Sequence, residues 1–272
     1  MNCLLAVSPH LDDAVLSAGA RLGTLAAAGV HVTVLTMFAG LPSAPFSPAA
    51  RELHRQWGLA DELAVSARRD DDRRALACLG LHHRHENFPD AIYRRLPDGS
   101  WLVTRERPPW YSEERAEPGL SAALTAAVRA AIEAIAPQLV LTGAGIGNHA
   151  DHVLTRDAVL AAVGGTEISL DLWEDLPYGL TSRRIPPPPG AVPVGARLTE
   201  KATESIWALK YQAIDCYASQ QSMLWGDRDF RRDLRRHEAA LAGRGPQGRA
   251  EAFWRVGRVP ASPAGQPALS QG

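Results

Sequence analysis

Short apolar runs alternate with helix-length amphipathic stretches along most of this chain, and that alternation leaves few folds open. Cys3–Val7, His31–Thr36 and Gln138–Thr142 read as buried strands, the second rich in β-branched residues. Weaker strands are predicted over 83–88 and 167–172. Helical patterns fill the intervals at 14–28, 48–57, 61–79, 120–135 and 151–163. Gly29 and Gly80 stand where C-caps are expected, and Pro137 ends the fourth helix. A further helix is expected to begin near Thr199 and pass Lys210, and Arg231–Arg236 reads as a charged helix face.

Strand–helix–strand alternation marks βαβ units and a parallel sheet. The predicted fold class is therefore α/β: a Rossmann-like, doubly wound, mostly parallel sheet flanked by helices. Tyr93–Thr104, with Pro97-Asp98-Gly99 in its middle, is expected to be an inserted β-hairpin. At 272 residues the chain is predicted to form one α/β domain over 1–258. A disordered Pro-, Ala-, Gly- and Ser-rich tail is expected over 259–272, and a stiff surface linker at Pro186–Pro189.

Composition excludes some partners. A formal net charge of -1, from 29 basic and 30 acidic side chains, offers no footprint for nucleic acid. No apolar run is long enough for a membrane span, and no signal peptide is evident. Cys3, Cys78 and Cys216 are odd in number and widely spaced, which argues against a disulfide framework and a cysteine metal site. A cytoplasmic location is the expectation; oligomeric state is not readable.

The chemistry concentrates at two strand ends. Pro9-His10-Leu11-Asp12-Asp13 follows the first strand, and His149-Ala150-Asp151-His152 follows the fourth. In a sheet of order 3-2-1-4-5 those strands are neighbours, and the loops leaving their carboxyl ends flank the crevice where ligands bind. A catalytic zinc takes three protein ligands and keeps one position for water. His10, Asp13 and His152 can supply the three. Asp12 is then a spare carboxylate able to take a proton from water, and His149 a spare imidazole for an oxyanion or a leaving amine. Asp151 is expected to orient an imidazole, most plausibly His149, and to keep it protonated. The chemistry read from this set is metal-assisted amide hydrolysis.

Other readings compete. Asp12-Asp13 and Asp151 suit helix N-caps, but capping does not call for the three histidines. Gly143-Ala144-Gly145-Ile146-Gly147 is spaced GxGxG and follows the fourth strand, which fits a close backbone approach better than a dinucleotide site. Two histidines and a carboxylate also suit non-haem iron, though Asp12 and His149 fit hydrolysis better than oxygen chemistry.

At these residues the chain resembles the PIG-L/LmbE-like zinc N-deacetylases. That family carries Pro-His-Pro-Asp-Asp-Glu after strand 1 and His-x-Asp-His after strand 4; here Leu11 and Ala14 depart from the first motif. The resemblance implies Zn2+, one per chain, on His10, Asp13 and His152, with Asp12 as general base and His149 at the oxyanion. It implies substrate contacts for Arg68, which with Asp71 is similar to the family's Arg-x-x-Glu element, and for Asp90. Lys210, Tyr217, Ser219 and Gln220 resemble a C-terminal family element. Asp90-Ala91-Ile92-Tyr93-Arg94 and Trp173-Glu174-Asp175-Leu176-Pro177-Tyr178 resemble the branch that deacylates glucosaminyl groups on teicoplanin-type glycopeptide antibiotics. The implied substrate is an N-acylated amino sugar. A mycothiol-like pseudodisaccharide, or metal-dependent sugar binding without turnover, are the alternatives. Trp101, Trp110, Tyr111, Trp173 and Tyr178 are candidates for a sugar-ring face, and Trp110 and Tyr111 for an acyl chain. Phe38–Pro48 and Trp101–Glu117 are expected to form the rim.

Overall fold

A computed structural model describes residues 1–109, 117–186, 192–220, 229–243 and 248–260. The strands are β1 (Cys3–Ser8), β2 (His31–Thr36), β3 (His82–His85), β4 (Leu139–Gly143), β5 (Ser169–Trp173), β6 (Val194–Lys201) and β7 (Ala250–Val256). The helices are α1 (Asp13–Ala27), α2 (Pro48–Trp57), α3 (Ala64–Cys78), α4 (Pro118–Ile135), α5 (Ala150–Val163), α6 (Glu204–Asp215) and α7 (Phe230–Ala242). They surround one seven-stranded sheet of order β3-β2-β1-β4-β5-β7-β6. The first five strands are parallel, as the βαβ reading predicts; β7 and β6 add an antiparallel edge.

Alternation along β1 builds both layers. Leu4 and Ala6 face a core shared with α1, α3 and α6, while Leu5 and Val7 face one shared with α4 and α5. A smaller cluster of Phe46, Ala50, Trp57, Ala64, Ala91, Ile92 and Val103 packs α2 against the loops that follow. Among the described residues no helix is long and apolar enough to cross a membrane.

Two expectations need correction. The helix start predicted near Thr199 is strand β6, and the helix begins at Glu204, where the Thr203 side chain accepts from the Ile206 N–H. The hairpin over Tyr93–Thr104 shrinks to a turn with a single antiparallel bridge, Arg95 to Trp101. Tyr93 instead ends a 3₁₀ turn capped by Asp90, whose Oδ1 accepts from the Ile92 N–H at 3.1 Å. Pro187–Pro189 and the tail from 261 lie outside the described residues.

The antiparallel edge grips α1 through charge. Lys210 is fully buried, with Nζ 2.8 Å from Glu251 Oε1 and 3.4 Å from Glu238 Oε1. The Glu251 carboxylate also accepts from the Ala20 and Arg21 N–H groups in the middle of α1, each at 2.8 Å. Nearby, Asp171 on β5 is 1% exposed and bonds Arg21 at 2.7 Å and Arg255. Burial opposes the Asp171 charge, but the hydrogen bonds from Arg255 and Arg21 outweigh it and hold its carboxyl below the ordinary range. Asp171→Asn leaves the buried Arg21 to the partly exposed Glu200, 3.1 Å from its Nε, and should cost about 1.5–3 kcal/mol at neutral pH, the usual worth of a hydrogen bond to a charged group. A depressed carboxyl contributes stability that is present above the unfolded value of about 3.9 and lost as pH falls through the lower folded value. The Tm gap between wild type and Asp171→Asn, followed by circular dichroism, should therefore be widest near neutrality and narrow in acid. A gap constant with pH would refute the ion-pair origin.

Candidate metal centre and active site

The loop after β1 turns its carboxylates away from capping. Asp12 occupies the N-cap of α1 but makes no side-chain cap bond; the Ser8 hydroxyl accepts from the Ala14 N–H instead. Asp13 folds back, its Oδ2 accepting from the His10 N–H at 2.9 Å. Capping therefore does not account for Asp12 and Asp13. Ala14, where the family motif has glutamate, is buried among the α1-side core residues.

β4 pairs directly with β1, Val7 lying opposite Thr142, so the two motif loops meet. His149 is the N-cap of α5, and His152 follows in its first turn. The His10, His149 and His152 rings lie 5.0–5.3 Å apart, centre to centre. Asp13 Oδ2 sits between two of them, 3.3 Å from His10 Nδ1 and 3.3 Å from His152 Nε2. Ligand atoms of His10, Asp13 and His152 all fall within 4.8 Å of one another.

Each of these two imidazoles turns its other nitrogen to a carboxylate. His10 Nε2 is 3.0 Å from Asp151 Oδ2, and His152 Nδ1 is 2.8 Å from Asp175 Oδ1. That is the arrangement in which metal-binding histidines are held by an outer acceptor. Burial works against charge on His10, but Asp90, Asp13 and Asp151 outweigh it and raise its pKa well above the usual imidazole value. His152 is raised in the same way, burial being overcome by Asp13 and Asp175. Asp13 is held far below the usual carboxylate range by His152 and His10, against burial. The centre thus favours a cation between these donors, and the donor set fits a divalent metal. His10, His149 and Asp151 form a second close triplet. There Asp151 already serves Arg94, at 2.7 Å, and the Ala91 N–H, at 2.9 Å, so it fits an outer partner better than a ligand.

Asp151 thus faces His10 and Arg94, which corrects the expectation that it orients His149 through its carboxylate. His149 Nδ1 accepts from the Asp151 backbone N–H at 3.2 Å. Burial, together with His10 and His152, lowers the His149 pKa well below the usual value, so Asp151 does not keep it protonated. The neutral ring then carries its proton on Nε2 and presents a donor.

Asp12 is 6% exposed, and Arg68 NH2 lies 3.8 Å from its Oδ2. Burial and the neighbouring Asp13 push the Asp12 carboxyl up to about 7, with Arg68 opposing. That value suits a proton acceptor near neutrality. Arg68 is itself buried, stacked 4.7 Å over Trp57. Asp90 Oδ2 stands 3.6 Å from His10 Nε2. The geometry therefore brings both Arg68 and Asp90 to the centre. Asp71 instead pairs with Arg74, and the buried acid of that helix is Asp72, bonded by the Tyr217 hydroxyl at 2.6 Å and by His85 at 2.8 Å.

Trp110 and Tyr111 lie outside the described residues. Trp173 is fully buried in the core and offers no sugar face, whereas the Tyr178 ring stands edge-on to His152 at 5.4 Å. Sequence reasoning assigned no role to Asp175 or Arg94. Asp175 follows a strand carboxyl end, the position that singled out Asp12 and Asp151, and that was the available signal. Gly143 makes room for it: a Cβ there would lie 2.3 Å from Asp175 Oδ1. Gly147, at φ 86°, lets Tyr178 pack where a Cβ would sit 2.4 Å from its ring.

Known proteins share this construction. Residues 5–163 match the family PIG-L: GlcNAc-PI de-N-acetylase. The zinc-inhibited form of teicoplanin deacetylase Orf2 superposes with a TM-score of 0.88 at 38% identity, over 94% of this chain and 98% of that one. The A40926 pseudoaglycone deacetylase Dbv21 gives 0.82 at 38% identity, over 95% and 98%. A 2'-N-acetylparomamine deacetylase of Streptomyces fradiae is 36% identical over 179 residues, 64% of this chain and 57% of that protein. The chain thus spans less than two thirds of that curated relative's length. The match over more than half the chain and the shared fold agree: the chain belongs to the PIG-L, GlcNAc-PI de-N-acetylase family.

Proposed function

We propose that this chain is a zinc-dependent N-deacetylase that removes an N-acyl group from an amino sugar, a glucosaminyl group on a secondary metabolite such as a glycopeptide antibiotic. The observation carrying this reading is the convergence of His10, Asp13 and His152 on one point, with Asp12 and His149 beside it. The identity to two glycopeptide deacetylases across nearly their full length supports the substrate class.

His10, Asp13 and His152 hold one zinc per chain. Zinc, when bound, lowers the pKa of a coordinated water to about 7 and polarises a carbonyl oxygen. Asp12 takes the proton from the attacking water through its carboxylate. His149 donates from Nε2 to the oxygen on which negative charge develops. The proton held by Asp12 is then available to the departing amine. Asp151 keeps His10 aimed, with Arg94 balancing its charge. Arg68 and Asp90 offer a donor and an acceptor for sugar hydroxyls at the mouth, and Trp110 and Tyr111 are the proposed acyl contacts.

The decisive experiment is a free-amine assay on zinc-reconstituted protein. N-acetyl- and long-acyl-glucosaminyl glycopeptides, N-acetylparomamine and an N-acetylglucosaminyl-inositol are offered in parallel. Amine release is expected, fastest on a glycopeptide. No release from any of them, with binding retained, would leave the sugar-binding alternative in its place.

A further inference from the structure

The two metal-binding imidazoles are not supported alike. His10 is held by Asp151, whose charge is balanced by Arg94. His152 is held by Asp175, a residue 23 positions away on the loop leaving β5. Asp175 is 1% exposed, and its two oxygens are divided: Oδ1 bonds His152 Nδ1 at 2.8 Å, and Oδ2 accepts from the Ile146 N–H at 2.9 Å. The backbone bond fixes the carboxylate, and the carboxylate fixes the ring. A carboxylate only accepts, so Nδ1 carries a proton, and it is Nε2, on the Asp13 side of the ring, that gives up its proton when a cation takes the place between it and Asp13 Oδ2. Free imidazole has no such constraint on its tautomer or rotation.

We infer that Asp175 is a positioning residue of the metal centre, setting the tautomer and direction of His152 so that Nε2 is presented as a ligand. Gly143 belongs to the same device, because any side chain there would occupy the carboxylate's place. This rests on the metal-site reading given above, but its readout is metal affinity rather than turnover. A protein that binds zinc yet deacetylates nothing would undo the proposed activity and leave Asp175 in its role.

The test measures Zn2+ affinity by competition with a chromophoric chelator, on metal-stripped and refilled full-length protein. Asp175→Ala should bind Zn2+ about 10–100-fold more weakly, the usual cost of losing an outer partner. Gly143→Ala keeps the carboxylate but displaces it, and should weaken binding in the same direction. Asp171→Asn is the control: it removes another buried carboxylate close by on β5, lowers Tm, and should leave Zn2+ affinity within threefold. Should Asp175→Ala fail to fold, Gly143→Ala carries the comparison. A loss below tenfold in the variant that decides, or an equal loss in Asp171→Asn, overturns the assignment.

Discussion

Asp12→Asn is expected to retain zinc and lose about 10²–10⁴-fold in kcat, the usual contribution of a positioned general base. The amide is the same size as the carboxylate, so Arg68 keeps a polar neighbour. What disappears is a group able to accept a proton near neutrality. Elemental analysis should find the metal content of wild type, and the free-amine assay should find almost no product. Full activity would move the base to another residue, with His149 the next to examine. Because His149 Nδ1 is engaged by a backbone N–H, that outcome would require His149 to rotate.

Asp13→Ala should behave in the opposite order. Asp13 Oδ2 approaches both His10 and His152, so its loss opens the centre between two imidazoles. Zinc affinity should fall by more than the ~10–100-fold expected for an outer partner, and turnover should fall with it. Raising zinc in the assay should restore part of the Asp13→Ala activity and none of the Asp12→Asn activity. If both variants lost metal equally, the division of labour between the adjacent aspartates would be wrong.

Much of the site was legible because its chemistry is local in sequence. His10, Asp12 and Asp13 share one loop, His149 and His152 another, and strand order alone puts the loops together. What was not legible depends on partners remote in sequence. Asp151 looked like a neighbour of His149, yet the helix start turns its carboxylate to His10 and to Arg94, some 60 residues earlier in the chain. The role of Asp175 emerges only when β5 lies beside β4. The edge of the sheet was missed for a different reason. β6 is mostly exposed and has no two-residue alternation, so its polar residues read as a helix start. In β7 the alternation exists, with Phe253 facing one core and Trp254 the other. It follows a charged helix in a part of the chain without motifs, where strand signals drew little weight.

The grip of Glu251 on the middle of α1 joins segments 230 residues apart in the chain. Every residue assigned here to the metal centre lies at or before Asp175, so that chemistry emerges first. The helix beginning at Asp13 nevertheless has two mid-length peptide groups whose carboxylate partner is on β7. Until that strand is made and paired, the first site residues to be synthesised sit on an unfinished support. The support of α1 is therefore completed only when β7 is in place, and a chain that stops short of Glu251 carries His10, Asp13 and His152 without the clamp on that helix.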